Sequence, residues 1–104
     1  MAQYDVFPNP SRSGAKGIPY VVVIQSDLLD GLATRLTMPL AQPEPMGKVP
    51  SVLCPTIHVN GQRLNALAHY TAPLPAKLLQ SPVDNVAAHA SVLVTAMDAV
   101  LSGI

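Results

Sequence analysis

Polar and apolar positions alternate along Gln3-Tyr4-Asp5-Val6-Phe7, the period of a half-buried strand. Pro8, Pro10 and Gly14 then mark a loop through about Gly17. Tyr20-Val21-Val22-Val23-Ile24 is a run of strong strand formers without alternation, which predicts a central strand buried on both faces. Gln25 to Gly31 ends it in a polar bend. Thr34-Arg35-Leu36-Thr37-Met38 alternates again and predicts a third strand, stopped by Pro39. Gln42 to Pro50 holds three prolines and a glycine and reads as a surface loop. Thr56-Ile57-His58-Val59 is a short strand, Asn60-Gly61 a hairpin turn, and Arg63 to Tyr70 its antiparallel return. Pro73-Leu74-Pro75 punctuates the chain, and Ala76 to Leu79 gives a last short strand.

The pattern then changes. Ser81-Pro82-Val83-Asp84 has the chemistry of a helix start: Ser81 as N-cap, proline in the first helical position, an acid three residues after the cap. A helix is expected from Val83 to Leu101. Val83, Val86, Ala90, Met97 and Leu101 share one face, yet Val92, Leu93, Ala96 and Val100 fall on others. The second half of the helix is therefore apolar almost all round. One face packs on the sheet, and a second copy of the chain is the simplest cover for the rest. Gly103 stands where a helix C-terminus takes a left-handed residue. The expected architecture is mainly β, an antiparallel sheet with one C-terminal α-helix, dimeric through that helix.

A chain of 104 residues accommodates one domain, 1–104. Apolar residues at 49% exclude a disordered chain, and no uninterrupted apolar stretch is long enough for a membrane span. Six basic residues balance six acidic ones and are scattered, which leaves little counterion release to drive nucleic-acid binding by this chain alone. A single cysteine, Cys54, fits a reducing cytoplasm, and the N-terminus has no signal-peptide pattern.

Candidate chemistry is sparse. His58, His69 and His89 have no zinc-ligand spacing, so no metal and no cofactor are expected. Cys54 and His58 form a conceivable nucleophile pair, but Cys54 leads into an apolar strand where a buried thiol is ordinary. Asp27, Asp30 and Asp98 could meet in space, and solvated surface acids are the simpler reading. Arg35 and Arg63 could cradle phosphates for a nuclease, against which the neutral charge counts. No catalytic residue is assigned.

Several stretches together carry a resemblance. They are Val23-Ile24-Gln25-Ser26-Asp27-Leu28-Leu29-Asp30, Thr34-Arg35-Leu36-Thr37-Met38-Pro39-Leu40, Leu53-Cys54-Pro55-Thr56-Ile57-His58-Val59, Pro73-Leu74-Pro75-Ala76-Lys77 and the final Gly103-Ile104. In order and over nearly the whole length, they resemble the CcdB toxin family of bacterial toxin–antitoxin modules. The resemblance implies an SH3-like small barrel, CcdB/MazF-like, that dimerises along its C-terminal helix. It implies a non-enzymatic, cytoplasmic toxin that binds the DNA gyrase A subunit and traps the gyrase–DNA cleavage complex. A CcdA-like antitoxin would neutralise it, and the pair would repress its own operon, touching operator DNA only as a complex. The loops Pro8 to Gly17 and Ala41 to Pro50 are the implied antitoxin contacts.

By the same resemblance, the gyrase-binding residues are Ser102, Gly103, Ile104, Asp98, Ser26, Leu28, Leu29, Gln3 and Tyr4. Ser102 departs from the family pattern, which has a tryptophan there to stack on a gyrase arginine. Two other readings stand beside this one: a MazF-like endoribonuclease toxin, or a degenerate, harmless homologue that binds antitoxin.

Overall fold

A two-residue turn starts the sheet. Asn60 (φ 50°) and Gly61 (φ 78°) both take left-handed backbone, the conformation that matches strand twist in a tight hairpin. They join Thr56–Val59 to Gln62–Ala66, with Val59 opposite Gln62. The computed structural model describes residues 1–11, 17–43 and 52–103. Its strands are β1 (Asp5–Pro8), β2 (Tyr20–Val23), β3 (Thr34–Ala41), β4 (Thr56–Val59), β5 (Gln62–Ala66), β6 (Ala72–Pro75) and β7 (Asp84–Asn85), followed by helix α1 (Ala90–Ser102).

All the pairings are antiparallel, in the order β4-β5-β3-β2-β1-β7, with β6 also on β3. β3 is the hub. One edge takes β2; the other takes β6 along Thr34–Thr37 and then β5 along Leu40–Ala41. This change of partner bends the sheet. Its two ends then meet, because the Asn60 backbone N–H donates to the Asp84 carboxylate at 2.8 Å and the Asn60 side chain donates to the Val83 carbonyl at 3.0 Å. The result is a nearly closed antiparallel barrel with one C-terminal helix, the expected fold class.

β2 is buried on both faces as its composition predicts. Val22 joins Val6, Met38, Leu40, Ile57, Leu64, Leu93 and Ala96 in one buried cluster, while Val21 and Val23 pack with Phe7 and Leu79 in a second. Each fully buried aliphatic side chain here contributes about 1.5–3 kcal/mol.

Five expectations are corrected. The first strand starts at Asp5 instead of Gln3, because Tyr4 (φ 69°) lies in a turn closed by Asp5 N–H to Ala2 O at 3.0 Å. Pro39 does not stop β3. Its carbonyl accepts from Leu67 N–H at 2.9 Å, so its nitrogen faces the same edge, in the gap where β3 passes from β6 to β5 and no donor is required. The return strand ends at Ala66, and Ala68–Tyr70 is a 3-10 turn. Ala76–Leu78 is likewise a 3-10 turn, and the strand lies just before it, at Ala72–Pro75.

The fifth correction concerns the helix. Ser81 takes φ 59°, not the extended backbone of an N-cap, and Asp84–Asn85 pairs with β1. The Val83 and Val86 N–H groups donate to Val6 O and Tyr4 O at 2.8 and 2.9 Å, so sheet pairing outcompetes the local helix signal. Helix α1 starts at Ala90. Counting Val83 into it rotates the apparent apolar face toward Leu101. The inward face is Leu93 and Ala96, with Met97 partly buried beside them, whereas Leu101 is 78% exposed. Ser91, Thr95, Asp98 and Ser102 make an exposed polar stripe opposite, so the helix is not apolar all round. Val94 and Leu101 flank the stripe on one side and Val92 on the other, all exposed. Gly103 caps the helix as expected, at φ 75°, donating its N–H to Ala99 O at 2.9 Å.

Candidate functional site

The bend after β2 presents apolar side chains to solvent. Ser26 accepts the Leu28 N–H on its hydroxyl at 3.2 Å and so caps a single 3-10 turn, Asp27–Leu29. Leu28 is 94% exposed and Leu29 50%, so neither is a core residue. Both leucines thus meet solvent on a short, hydrogen-bonded turn.

Gln3 and Tyr4 tie this bend to the helix. Gln3 donates its backbone N–H to the Asp27 carboxylate at 2.7 Å and its side-chain amide to Ile24 O at 3.0 Å. Tyr4 donates its N–H to Val23 O at 2.6 Å and packs partly buried against the core. Together Gln3, Tyr4 and Ile24 face Leu93, Val94 and Met97 of α1 across a pocket of about 170 Å³. Val94, Met97, Asp98 and Leu101 recur at helical spacing from that pocket toward the helix C-terminus. This i, i+3, i+4, i+7 series was legible in the sequence, and its face was obscured by starting the helix too early.

Of the nine expected contact residues, the structure joins Gln3, Tyr4, Ser26, Leu28 and Leu29 in one region, and Asp98, Ser102 and Gly103 in another at the end of α1. The Ser102 hydroxyl donates to the Asp98 carbonyl at 2.7 Å, so the first turn back from Gly103 is internally linked. Ile104 lies outside the described residues, as does part of each expected antitoxin loop, Pro8 to Gly17 and Ala41 to Pro50.

Catalytic arrangements fare poorly among the described residues. Cys54 lies near His69, with Sγ and Nδ1 4.0 Å apart; its pairing partner is not the His58 that sequence spacing suggests. Burial pushes the Cys54 thiol above its ordinary value, away from the thiolate a nucleophile needs. His58 instead stacks with His89, ring centroids 6.2 Å apart. Asp27 is held by Gln3, and Asp30 by Arg35 at 3.0 Å. Arg35 is only 7% exposed and is not available to a phosphate. No group of three or more potential metal ligands occurs among the described residues, and no helix among them is long and apolar enough to cross a membrane.

Comparison with known proteins adds one finding. A family model described as CcdB protein matches residues 3–103, which takes in every element above. No curated protein matches the chain.

Proposed function

Since this chain belongs to the CcdB family, we propose that it is the toxin of a toxin–antitoxin module and acts by binding the DNA gyrase A subunit and trapping gyrase on cleaved DNA. The family match over residues 3–103 carries the reading. The surface supports it: exposed Leu28 and Leu29, the Gln3–Tyr4 edge, and the end of α1 at Asp98 and Ser102 offer side chains for association.

The mechanism is differential binding. A protein traps an enzyme only if it binds the DNA-cleaved state more tightly than the resealed one. Gly103, without a side chain, permits close backbone approach, and Ile104 would add an apolar contact. No chemical step by the toxin is needed. In this reading two copies associate along α1, where Val94 and Leu101 are exposed beside the polar stripe. A CcdA-like antitoxin neutralises the dimer, and the complex represses its own operon in the cytoplasm.

Supercoiled plasmid, gyrase and ATP, incubated with and without the protein and then treated with detergent, test the proposal. Accumulation of linear DNA is the expected result. Unchanged cleavage with a folded protein overturns it.

Ser102 favours a second reading, that the chain is a harmless homologue that still binds antitoxin. Its hydroxyl turns back onto Asp98 O at 2.7 Å and offers no flat face to a guanidinium. Antitoxin binding without gyrase cleavage distinguishes this outcome.

A further inference from the structure

An exposed leucine holds a fixed position only if the backbone beneath it is held. The bend from Ser26 to Ala33 has no strand partner of its own, and none of its apolar side chains is buried. Besides its own turn bonds, the Gln3 N–H on the Asp27 carboxylate and the Ala76 N–H on Ala33 O, two side chains from its flanks hold it.

Arg35, on the first half of β3, turns its guanidinium back under the bend. One terminal nitrogen donates to Asp30 O at 2.5 Å and to the Asp30 carboxylate at 3.0 Å. The other donates to Thr34 O at 2.9 Å and to Leu32 O. Gln25 works from the opposite flank. Its amide nitrogen donates to Leu29 O and Thr34 O, both at 3.2 Å, while its oxygen accepts Leu36 N–H at 3.0 Å. Three points of the bend, at Leu29, Asp30 and Leu32, and Thr34 just after it, are thus tied to two side chains.

Burial separates Arg35 from a surface ion pair. Its side chain is 9% exposed while that of Asp30 is 52% exposed. Its Nε has no hydrogen-bond partner among the described residues. A buried guanidinium with an unmet donor is a costly way to gain stability alone, since replacing buried polar groups with apolar ones is often neutral or better. What the planar fork supplies is geometry, because several carbonyls at fixed angles are satisfied at once. A lysine ammonium keeps the charge and loses the fork.

We propose that Arg35, assisted by Gln25, is a positioning residue that holds the Ser26–Ala33 bend in the shape that presents Leu28 to the protein partner. This rests on the reading of the bend as part of the gyrase-binding surface. Arg35 does not touch the partner; it acts through the carbonyls of the bend.

Three variants of the full chain test it: Arg35→Lys, Gln25→Ala and Leu28→Asp. Amide hydrogen exchange is followed at Leu29, Asp30 and Leu32, whose N–H groups close the bend, and at Leu40 and Ala66 in the barrel. Binding to purified gyrase A subunit is measured in parallel. Arg35→Lys is expected to speed exchange in the bend on the order of tenfold and weaken binding by a similar factor, with barrel exchange unchanged. Gln25→Ala is expected to do the same to a smaller degree, and serves if Arg35→Lys does not fold. Leu28→Asp is expected to abolish binding without loosening the bend. If Arg35→Lys leaves bend exchange unchanged, or loosens the bend without weakening binding, the positioning role is overturned. If the unaltered protein or Leu28→Asp shows that binding does not depend on the bend, the functional reading fails instead, while the exchange data still report on Arg35.

Discussion

The Gln3 backbone N–H donates to the Asp27 carboxylate across 2.7 Å, joining two residues 24 positions apart in sequence. This bond fastens the start of the chain to the bend after β2. Two segments expected to share one surface are thereby neighbours in space. Asp27→Ala removes the acceptor and is expected to cost about 0.5–1.5 kcal/mol, at the lower end because the bond is solvent-exposed. Urea unfolding gives the stability change. Gyrase binding should fall further than stability does, and equal, small losses in both would deny the link a role in the surface.

Helix α1 offers two leucines with opposite expectations. Leu93 is 1% exposed and Leu101 78%. Leu93→Ala opens a cavity in the barrel and is expected to destabilise by about 2–5 kcal/mol. Leu101→Asp is expected to leave stability within about 0.5 kcal/mol while weakening self-association. Denaturant unfolding and sedimentation measured on both variants separate these effects. A Leu101→Asp protein that dimerises as well as the original would remove this residue from the proposed interface.

At Gly103 the cost of a side chain is purely one of backbone. The residue holds φ 75°, and a Cβ placed there meets nothing within 4 Å. Gly103→Val therefore clashes with no neighbour and is expected to cost about 1–2 kcal/mol by disfavouring the left-handed cap. Circular dichroism should show fraying of the last helical turn. An undiminished helix signal with unchanged unfolding would contradict the capping role.

Ser102→Trp reinstates the aromatic face that the family pattern has at this position. A cation–π contact is expected to strengthen gyrase binding by about 0.5–2 kcal/mol, roughly two- to thirty-fold. Titration calorimetry against the gyrase A subunit measures the gain. No gain would mean that position 102 does not face an arginine.

Burial raises the pKa of the Cys54 thiol, so the folded state keeps its proton where the unfolded state has lost it. The associated stability is fully present below the ordinary thiol value of about 9 and is lost as pH rises from there through the folded-state value. Alkylation by iodoacetamide near neutral pH should be slow in the folded protein and fast in urea. Rapid alkylation of the native protein would show that the thiol is open and reactive. Cys54→Ala should remove that part of the alkaline loss of stability, which unfolding measured as a function of pH would detect.

Much of this was readable in the chain itself, and the reason is locality. Asn60-Gly61 specifies its hairpin because only those two residues need left-handed backbone, and both tolerate it. Tyr20–Val23 declares a doubly buried strand through its own side chains, and Gly103 its cap through its missing one. The surface residues at Gln3, Tyr4, Ser26, Leu28 and Leu29 came from family resemblance. Neither periodicity nor turn chemistry could tell whether Leu28 points inward or outward.

The rest was decided by partners distant in sequence. Ser81-Pro82-Val83-Asp84 has every local feature of a helix start, yet Val83 and Val86 give their N–H groups to β1 and the helix waits until Ala90. Pro39 looks like a strand terminator until β3 is seen to change partners beside it. Arg35 looks like a surface cation until the carbonyls of the bend converge on it. The helix-start preference at Ser81 is worth about 1 kcal/mol, and several tertiary hydrogen bonds and buried side chains outweigh it. The sequence by itself therefore determined the central strand, the tight turn, the cap and the family. Only the folded barrel decided where the helix begins, which leucines meet water and what holds them there.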